Sequence, residues 1–277
     1  MYLLLATVLA ATGVAMAASP KLTTSKRSVE IAKQRGGDSG RAPGRAVVAT
    51  CRGNRKVASG GFRAKLDSSS SGSRVVVNQL SPRGATGWRA RAVNVGGKPG
   101  RLTSYAYCAK RRLREGRVGV SRVAPRRSAR ASARCPRGTR AVVAGFRAQV
   151  DRRDLAPGIV VSGLRLRGRA AVATGANQSS KAGKLRAFAL CAKVGRVRSA
   201  TASATIPPEE RGTAVASCPA GTRFVSGGFS AEIATPGADP TAAVTQARKV
   251  GSREWRVSAF NVASGNPAQL RSIAYCR

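Results

Sequence analysis

The chain is expected to fold as an all-β protein made of three internal repeats of about 84 residues. Three observations predict this. A block that runs from a cysteine through a glycine-rich step to a phenylalanine occurs three times: Cys51 to Phe62, Cys135 to Phe146 and Cys218 to Phe229. Apolar and polar residues alternate at period two behind each phenylalanine, the pattern of a half-buried strand. No stretch carries a convincing helical period, and a fixed recurrence of this length marks a repeat architecture.

Taken in order, residues 1–18 are apolar and end in Ala15-Met16-Ala17, the small-x-small form of a cleavage site, and are read as a secretory signal peptide. That run is shorter than the ~20 residues a spanning helix needs. No other stretch qualifies, so no membrane insertion is expected after cleavage. Residues 19–45, rich in Lys, Arg, Ser and Gly, read as a basic flexible leader. The repeats follow at 46–110, 111–193 and 194–277.

Within each repeat the first strand is Phe62-Arg63-Ala64-Lys65-Leu66, Phe146-Arg147-Ala148-Gln149-Val150 or Phe229-Ser230-Ala231-Glu232-Ile233. Gly60-Gly61, Ala144-Gly145 and Gly227-Gly228 precede it. Small residues inside a strand point to a bulge or to the close approach of another backbone. A tryptophan strand comes next, Trp88 to Asn94 in the first copy and Trp255 to Asn261 in the third. The second copy reads Arg169 to Gly175 in that register and so loses both the Trp and the Asn. Each repeat closes on a leucine six residues before a cysteine: Leu102 to Cys108, Leu185 to Cys191, Leu270 to Cys276. The stretches between repeats are of constant length, which a disordered linker has no need of. They read as strand, turn, strand, with Val118 to Val123 and Ser199 to Ile206 before the turn and Thr213 to Ser217 after it. Glu209-Glu210, behind Pro207-Pro208, reads as a hairpin turn.

The six cysteines recur at both ends of every repeat, which implies disulfides in an oxidising compartment. Of 15 conceivable pairings, internal repetition selects Cys51 with Cys108, Cys135 with Cys191 and Cys218 with Cys276. Aromatic residues are only 4% of the chain, so cores of Ala, Val and Gly gain from the staples. With no histidine and no C-x-x-C pair, a metal site is not expected, nor a cofactor.

The formal net charge is +39, from 50 Lys plus Arg against 11 Asp plus Glu. Such a chain adheres to polyanions. The densest runs are Arg111-Arg112-Leu113-Arg114 and Arg126-Arg127-Ser128-Ala129-Arg130, and these six arginines are the candidate polyanion contacts. The absence of histidine removes Ser-His-Asp and Cys-His chemistry. A carboxylate pair would have to come from Asp67, Asp151 or Asp154, the remote glycoside-hydrolase reading; an Asp at a strand end is commonly a turn residue bonding its own backbone. Trp88 and Trp255 are candidates to stack on sugar rings, or else core plugs. Asn94 and Asn261 are candidates to touch a ligand or to cap a strand. No recognition helix or aromatic platform points to specific nucleic-acid binding, so only non-specific phosphate contacts are expected. Asn177-Gln178-Ser179 is a glycosylation acceptor sequence if the host has that route.

The C-P-x-G opening with its G-G-F step, the W-x-x-x-x-x-N strand and the L-x-x-x-A-Y-C ending resemble a small cysteine-bounded β-domain of secreted actinobacterial proteins without assigned function. The opening also resembles that of vitelline membrane outer layer protein I, a three-repeat β-prism, although its acidic D-D-T-A-L-N block is missing here. The first copy has Arg52 in place of the proline. The resemblance implies export and a pseudo-threefold β-prism-like assembly, and carries over no catalytic residue. The alternative architecture is three tandem disulfide-stapled β-sandwich domains; an immunoglobulin sandwich fits poorly because the tryptophan comes too late in the repeat. The expected function is a secreted monomer, not an enzyme, that adheres to anionic cell-surface polymers or polysaccharides, extracellular or in the cell envelope. The alternative is a structural envelope or matrix protein with no specific ligand.

Overall fold

Strand pairing, rather than repeat boundaries, organises the molecule. The computed structural model describes residues 22–33, 44–66, 75–150, 158–233 and 242–277. The signal-peptide reading and Asp67, Asp151 and Asp154 lie outside the described residues. Repeat 1 contributes β1 (Thr23–Ile31), β2 (Gly44–Thr50), β3 (Lys56–Leu66), β4 (Val75–Arg83), β5 (Gly87–Asn94) and β6 (Gly100–Ala109). Repeat 2 contributes β7 (Arg114–Glu115), β8 (Gly119–Val123), β9 (Ser128–Arg134), β10 (Arg140–Val150), β11 (Ile159–Arg167), β12 (Ala170–Asn177) and β13 (Gly183–Ala192). Repeat 3 contributes β14 (Arg198–Ile206), β15 (Arg211–Ser217), β16 (Phe224–Ile233), β17 (Ala242–Val250), β18 (Glu254–Asn261) and β19 (Ala268–Cys276). There is no helix among the described residues.

The strands form three antiparallel sheets, and every sheet draws on two repeats. Sheet 1 runs β1-β6-β3-β17-β18-β15; sheet 2 runs β2-β5-β4-β10-β13, edged by β7 and β8; sheet 3 runs β14-β19-β16-β11-β12-β9. Each repeat is therefore split in two. Its outer half pairs with one neighbouring repeat and its other half with the other, which closes a pseudo-threefold ring. The tandem-sandwich alternative survives only inside a repeat, where the two half-sheets pack face to face; no repeat completes a sheet alone.

The basic leader is corrected by this arrangement. Thr23–Ile31 pairs with β6 along its whole length, from Thr23 opposite Cys108 to Ile31 opposite Gly100. Ile31, Val123 and Ile206 are all fully buried in equivalent slots, so repeat 1 starts at Thr23 rather than at residue 46. The stretch from Ile31 to Cys51 is longer than its counterparts, which hid the equivalence. Glu209-Glu210 does make a turn, closed by the Glu210 N–H donating to the Pro207 carbonyl at 3.3 Å. That turn is an arch and not a hairpin, because β14 and β15 belong to different sheets.

The three joints between repeats are short. Arg63 and Phe62 of β3 face Gln246 and Ala247 of β17; Phe146 and Arg147 of β10 face Leu80 and Gln79 of β4; Ser230 and Phe229 of β16 face Gly163 and Leu164 of β11. Both strands of every joint carry a bulge, at Ala58, Val142 and Val225 on one side and at Asn78, Ser162 and Thr245 on the other. A bulge bends and twists its strand, and a glycine shortly after it lets the facing strand come close. A Cβ on Gly61, Gly145 or Gly228 would come within 2.5, 2.6 or 2.3 Å of the carbonyl of Ala247, Leu80 or Leu164 across the joint. Deeper in, Phe146 and Phe229 meet edge to face at 6.3 Å, and the Ser226 hydroxyl donates to the Val142 carbonyl.

The first glycine of each pair has a different duty. A Cβ on Gly60 would lie 2.2 Å from the Trp88 ring, and one on Gly227 would lie 2.0 Å from that of Trp255. The disulfides are those the repetition selects: Cys51–Cys108, Cys135–Cys191 and Cys218–Cys276. No free cysteine remains among the described residues.

Candidate anion-binding surface

The aromatic and amide candidates are structural. Trp88 is 0% exposed and Trp255 1%; Trp255 stacks on Phe224 at 5.7 Å and meets Tyr107 edge-on at 6.4 Å. Neither indole presents a face on which a sugar could stack, so the core-plug reading replaces the ligand reading. Asn94 and Asn261 are also fully buried. The Asn261 amide nitrogen donates to the carbonyls of Ile206, Pro207 and Asn266 at 3.1, 3.2 and 2.8 Å, and its oxygen accepts from the Ala263 N–H. Asn94 binds Ala32, Lys98 and Gly96 in the same way. They clasp the end of the first strand of a repeat to the loop before its last.

Repeat 2 has the same clasp. Asn177 donates to Val123, Ala124 and Lys181, which makes it the equivalent of Asn94 and Asn261 and puts Ala171 where the tryptophans stand. The reading that repeat 2 loses both residues is therefore corrected by two positions: the Trp is lost and the Asn is kept. Asn177 is fully buried, so the glycosylation sequence it heads is closed to modification.

Two buried tyrosines fasten the joints. The Lys249 N–H of β17 donates to the Tyr107 hydroxyl at 2.7 Å, and the Leu166 N–H of β11 to the Tyr275 hydroxyl at 2.7 Å. Burial pushes the Tyr275 phenol up to about 12 and the Tyr107 phenol further in the same direction. At the third joint the matching donor position is Pro82, which has no N–H, and the matching tyrosine is Leu190.

The six arginines singled out from the sequence are all exposed but do not converge. Arg111 and Arg112 follow β6, and Arg114 lies on β7 at the edge of sheet 2. Arg126 and Arg127 form the β8–β9 turn, Arg126 with a φ of 54°, and Arg130 lies on β9 in sheet 3. What the fold brings together instead is a set of residues on the outward faces at the joints. Across sheet 2, Arg186 lies beside Arg147, Arg147 beside Gln79, and Gln79 beside Arg91. In the next row Arg89 is opposite Ser81. Burial, then the guanidiniums of Arg83, Arg147 and Arg91, holds Arg89 below the ordinary arginine range.

Sheet 1 repeats the pattern. Arg63 lies beside Gln246 and Arg248 opposite Arg256, with the Arg248 guanidinium 5.7 Å from the centre of the Tyr105 ring. Sheet 3 has Ser230, Gly163, Arg165 and Val172 in the corresponding places. Period-two alternation puts each of these arginines on an outward face, which the sequence does reveal. Which two repeats meet at a joint is not written in either strand, so the cluster is not legible in the sequence. Among the described residues no group of His, Cys, Asp or Glu is placed to hold a metal ion. No protein-family model matches the chain, and no curated protein matches it.

Proposed function

We propose that this protein is a secreted, non-catalytic binding protein that adheres to anionic cell-surface polymers or polysaccharides. The observation that carries the reading is the outward row on sheet 2, where Arg186, Arg147 and Arg91 lie on neighbouring strands with Gln79 among them and no carboxylate in the row. Neighbouring strands are about 4.8 Å apart, so an anionic chain laid across the row meets several guanidiniums at once, and direct bidentate contacts of that kind are screened by salt less than long-range attraction is. The net charge of +39 supports the same reading at long range. Three disulfides suit an oxidising extracellular setting.

The burial of Trp88 and Trp255 favours, as a second reading, a structural envelope or matrix protein whose adhesion is charge alone. The test is retention of the oxidised protein on neutral glycans, sulfated and carboxylated polysaccharides, wall polymers and DNA at low salt and at ~0.5 M salt, where the Debye length falls to a few ångströms. Retention of one anionic polymer at high salt is the expected result. Release of all of them together leaves the structural reading, and equal retention on neutral glycans overturns the charge argument.

A further inference from the structure

The outward corner of sheet 1, at the joint between repeats 1 and 3, holds three buried N–H donors with nothing to donate to: Gln246 Nε2, Arg248 Nε and Arg256 Nε. Gln246 is only 8% exposed although it points away from the core. Arg248 and Arg256 are direct cross-strand neighbours, and Gln246 is two residues before Arg248 on the same face of β17. The exposed guanidinium of Arg63 lies beside Gln246 on the facing strand. Buried polar groups in folded proteins are nearly always hydrogen-bonded. Three orphans of one sign, all donors, at one place are not random defects.

We infer that this corner is a discrete binding site for a tetrahedral oxyanion, a phosphate or sulfate group. The Nε edge of a guanidinium forms a fork that takes two oxygens of one anion. Two such forks on adjacent strands, with an amide N–H beside them, call for an acceptor offering oxygens in several directions. A tetrahedral group does so, while a carboxylate has two oxygens in one plane.

The other two joints act as internal controls. In sheet 2 the place of Arg248 is taken by Ser81, which accepts from Gln79 Nε2 at 2.9 Å, so of the corresponding outward donors Arg89 Nε alone is unpaired, beside an unpaired acceptor, Asn78 Oδ1. In sheet 3 Gly163 and Val172 replace the glutamine and the second arginine. The inference deepens the adhesion reading, because the same group carried on a polymer would anchor the chain to one point of the surface.

The experiment measures the thermal midpoint and the calorimetric binding of the full oxidised chain with inorganic sulfate and inorganic phosphate, against chloride at equal ionic strength. A ligand that binds only the folded state raises the midpoint as its concentration passes its Kd. Saturable one-to-one binding is expected, weakened at least ten-fold in Arg256→Gln and unchanged in Arg167→Gln, which removes the same charge from sheet 3. Gln246→Glu supplies an internal acceptor, and it should abolish sulfate binding while raising the midpoint without ligand. Equal loss in Arg256→Gln and Arg167→Gln, or Gln246→Glu that still binds sulfate, overturns the site. Dextran sulfate retained while inorganic sulfate does not bind also overturns the site and leaves the adhesion reading standing. Saturable sulfate binding with no polymer retained overturns adhesion and leaves the site.

Discussion

Repeats 1 and 3 fill their interiors in one way and repeat 2 in another, and each difference is matched by a second one. Where repeats 1 and 3 set a tryptophan over a glycine, Trp88 over Gly60 and Trp255 over Gly227, repeat 2 has Ala171 and Ala144 at the equivalent positions. Where Tyr107 and Tyr275 accept a backbone N–H across their joints, repeat 2 has Leu190 facing a strand whose donor position is Pro82. Both pairs change together. A close-packed interior tolerates a large change of volume or polarity only when the contacting partner changes too.

The largest expected effect breaks that match in a tryptophan repeat. Trp255→Ala removes the stack on Phe224 and the edge contact with Tyr107, and should cost about 3–5 kcal/mol in denaturant unfolding. The converse change sharpens the comparison. Ala171→Trp alone should destabilise because Ala144 fills the space an indole needs, and Ala144→Gly added to it should recover part of the loss. A double-mutant cycle measures the coupling, expected at roughly 0.5–3 kcal/mol; a value near zero would show that the two positions are independent.

Next come the tyrosine fasteners. Tyr107→Phe or Tyr275→Phe leaves a backbone N–H of β17 or β11 unpaired and should cost about 1–3 kcal/mol. Leu190→Tyr should bring no matching gain, because Pro82 has no hydrogen to donate. The same two phenols give the protein an alkaline limit. An unfolded tyrosine titrates near ~10, whereas burial holds Tyr275 protonated up to about 12 and Tyr107 protonated beyond it. The native state therefore keeps protons that the unfolded state has already released. Stability should be flat below pH ~10 and fall as pH rises through the folded values, by roughly 1.4 kcal/mol per pH unit for each phenol. Unfolding midpoints from pH 8 to 12 check this, and Tyr275→Phe should make the fall shallower. The smallest expected effect is Arg167→Gln on an exposed strand end, within about 0.5 kcal/mol in stability.

The copying of local blocks, and no long-range knowledge, made much of this fold legible. A repeated cysteine pair can bond within its own copy, and a period-two pattern states which side of a strand is wet. Register is ambiguous where a marker is missing: with alanine in place of tryptophan, nothing in the Ala-rich run of repeat 2 fixes the alignment, and the spacing alone stops two residues short of Asn177. The first strand of repeat 1 was hidden for a related reason, since its longer connection to Cys51 broke the regular spacing and its Lys, Arg and Ser residues suggested a tail.

The sequence by itself determined the repeat, most of its strands, the three disulfides and the side of those strands on which charge lies, because all of these follow from neighbours close along the chain or from repetition. Only the tertiary structure decided that each repeat divides between two sheets, that the tryptophans are enclosed, and that Gln246, Arg248 and Arg256 meet Arg63 at one corner. The backbone hydrogen bonds of a strand edge are the same for any partner, so the choice of neighbour depends on how the three sandwiches bend and close around their common axis. A cluster made across such an edge comes into being only when that ring closes.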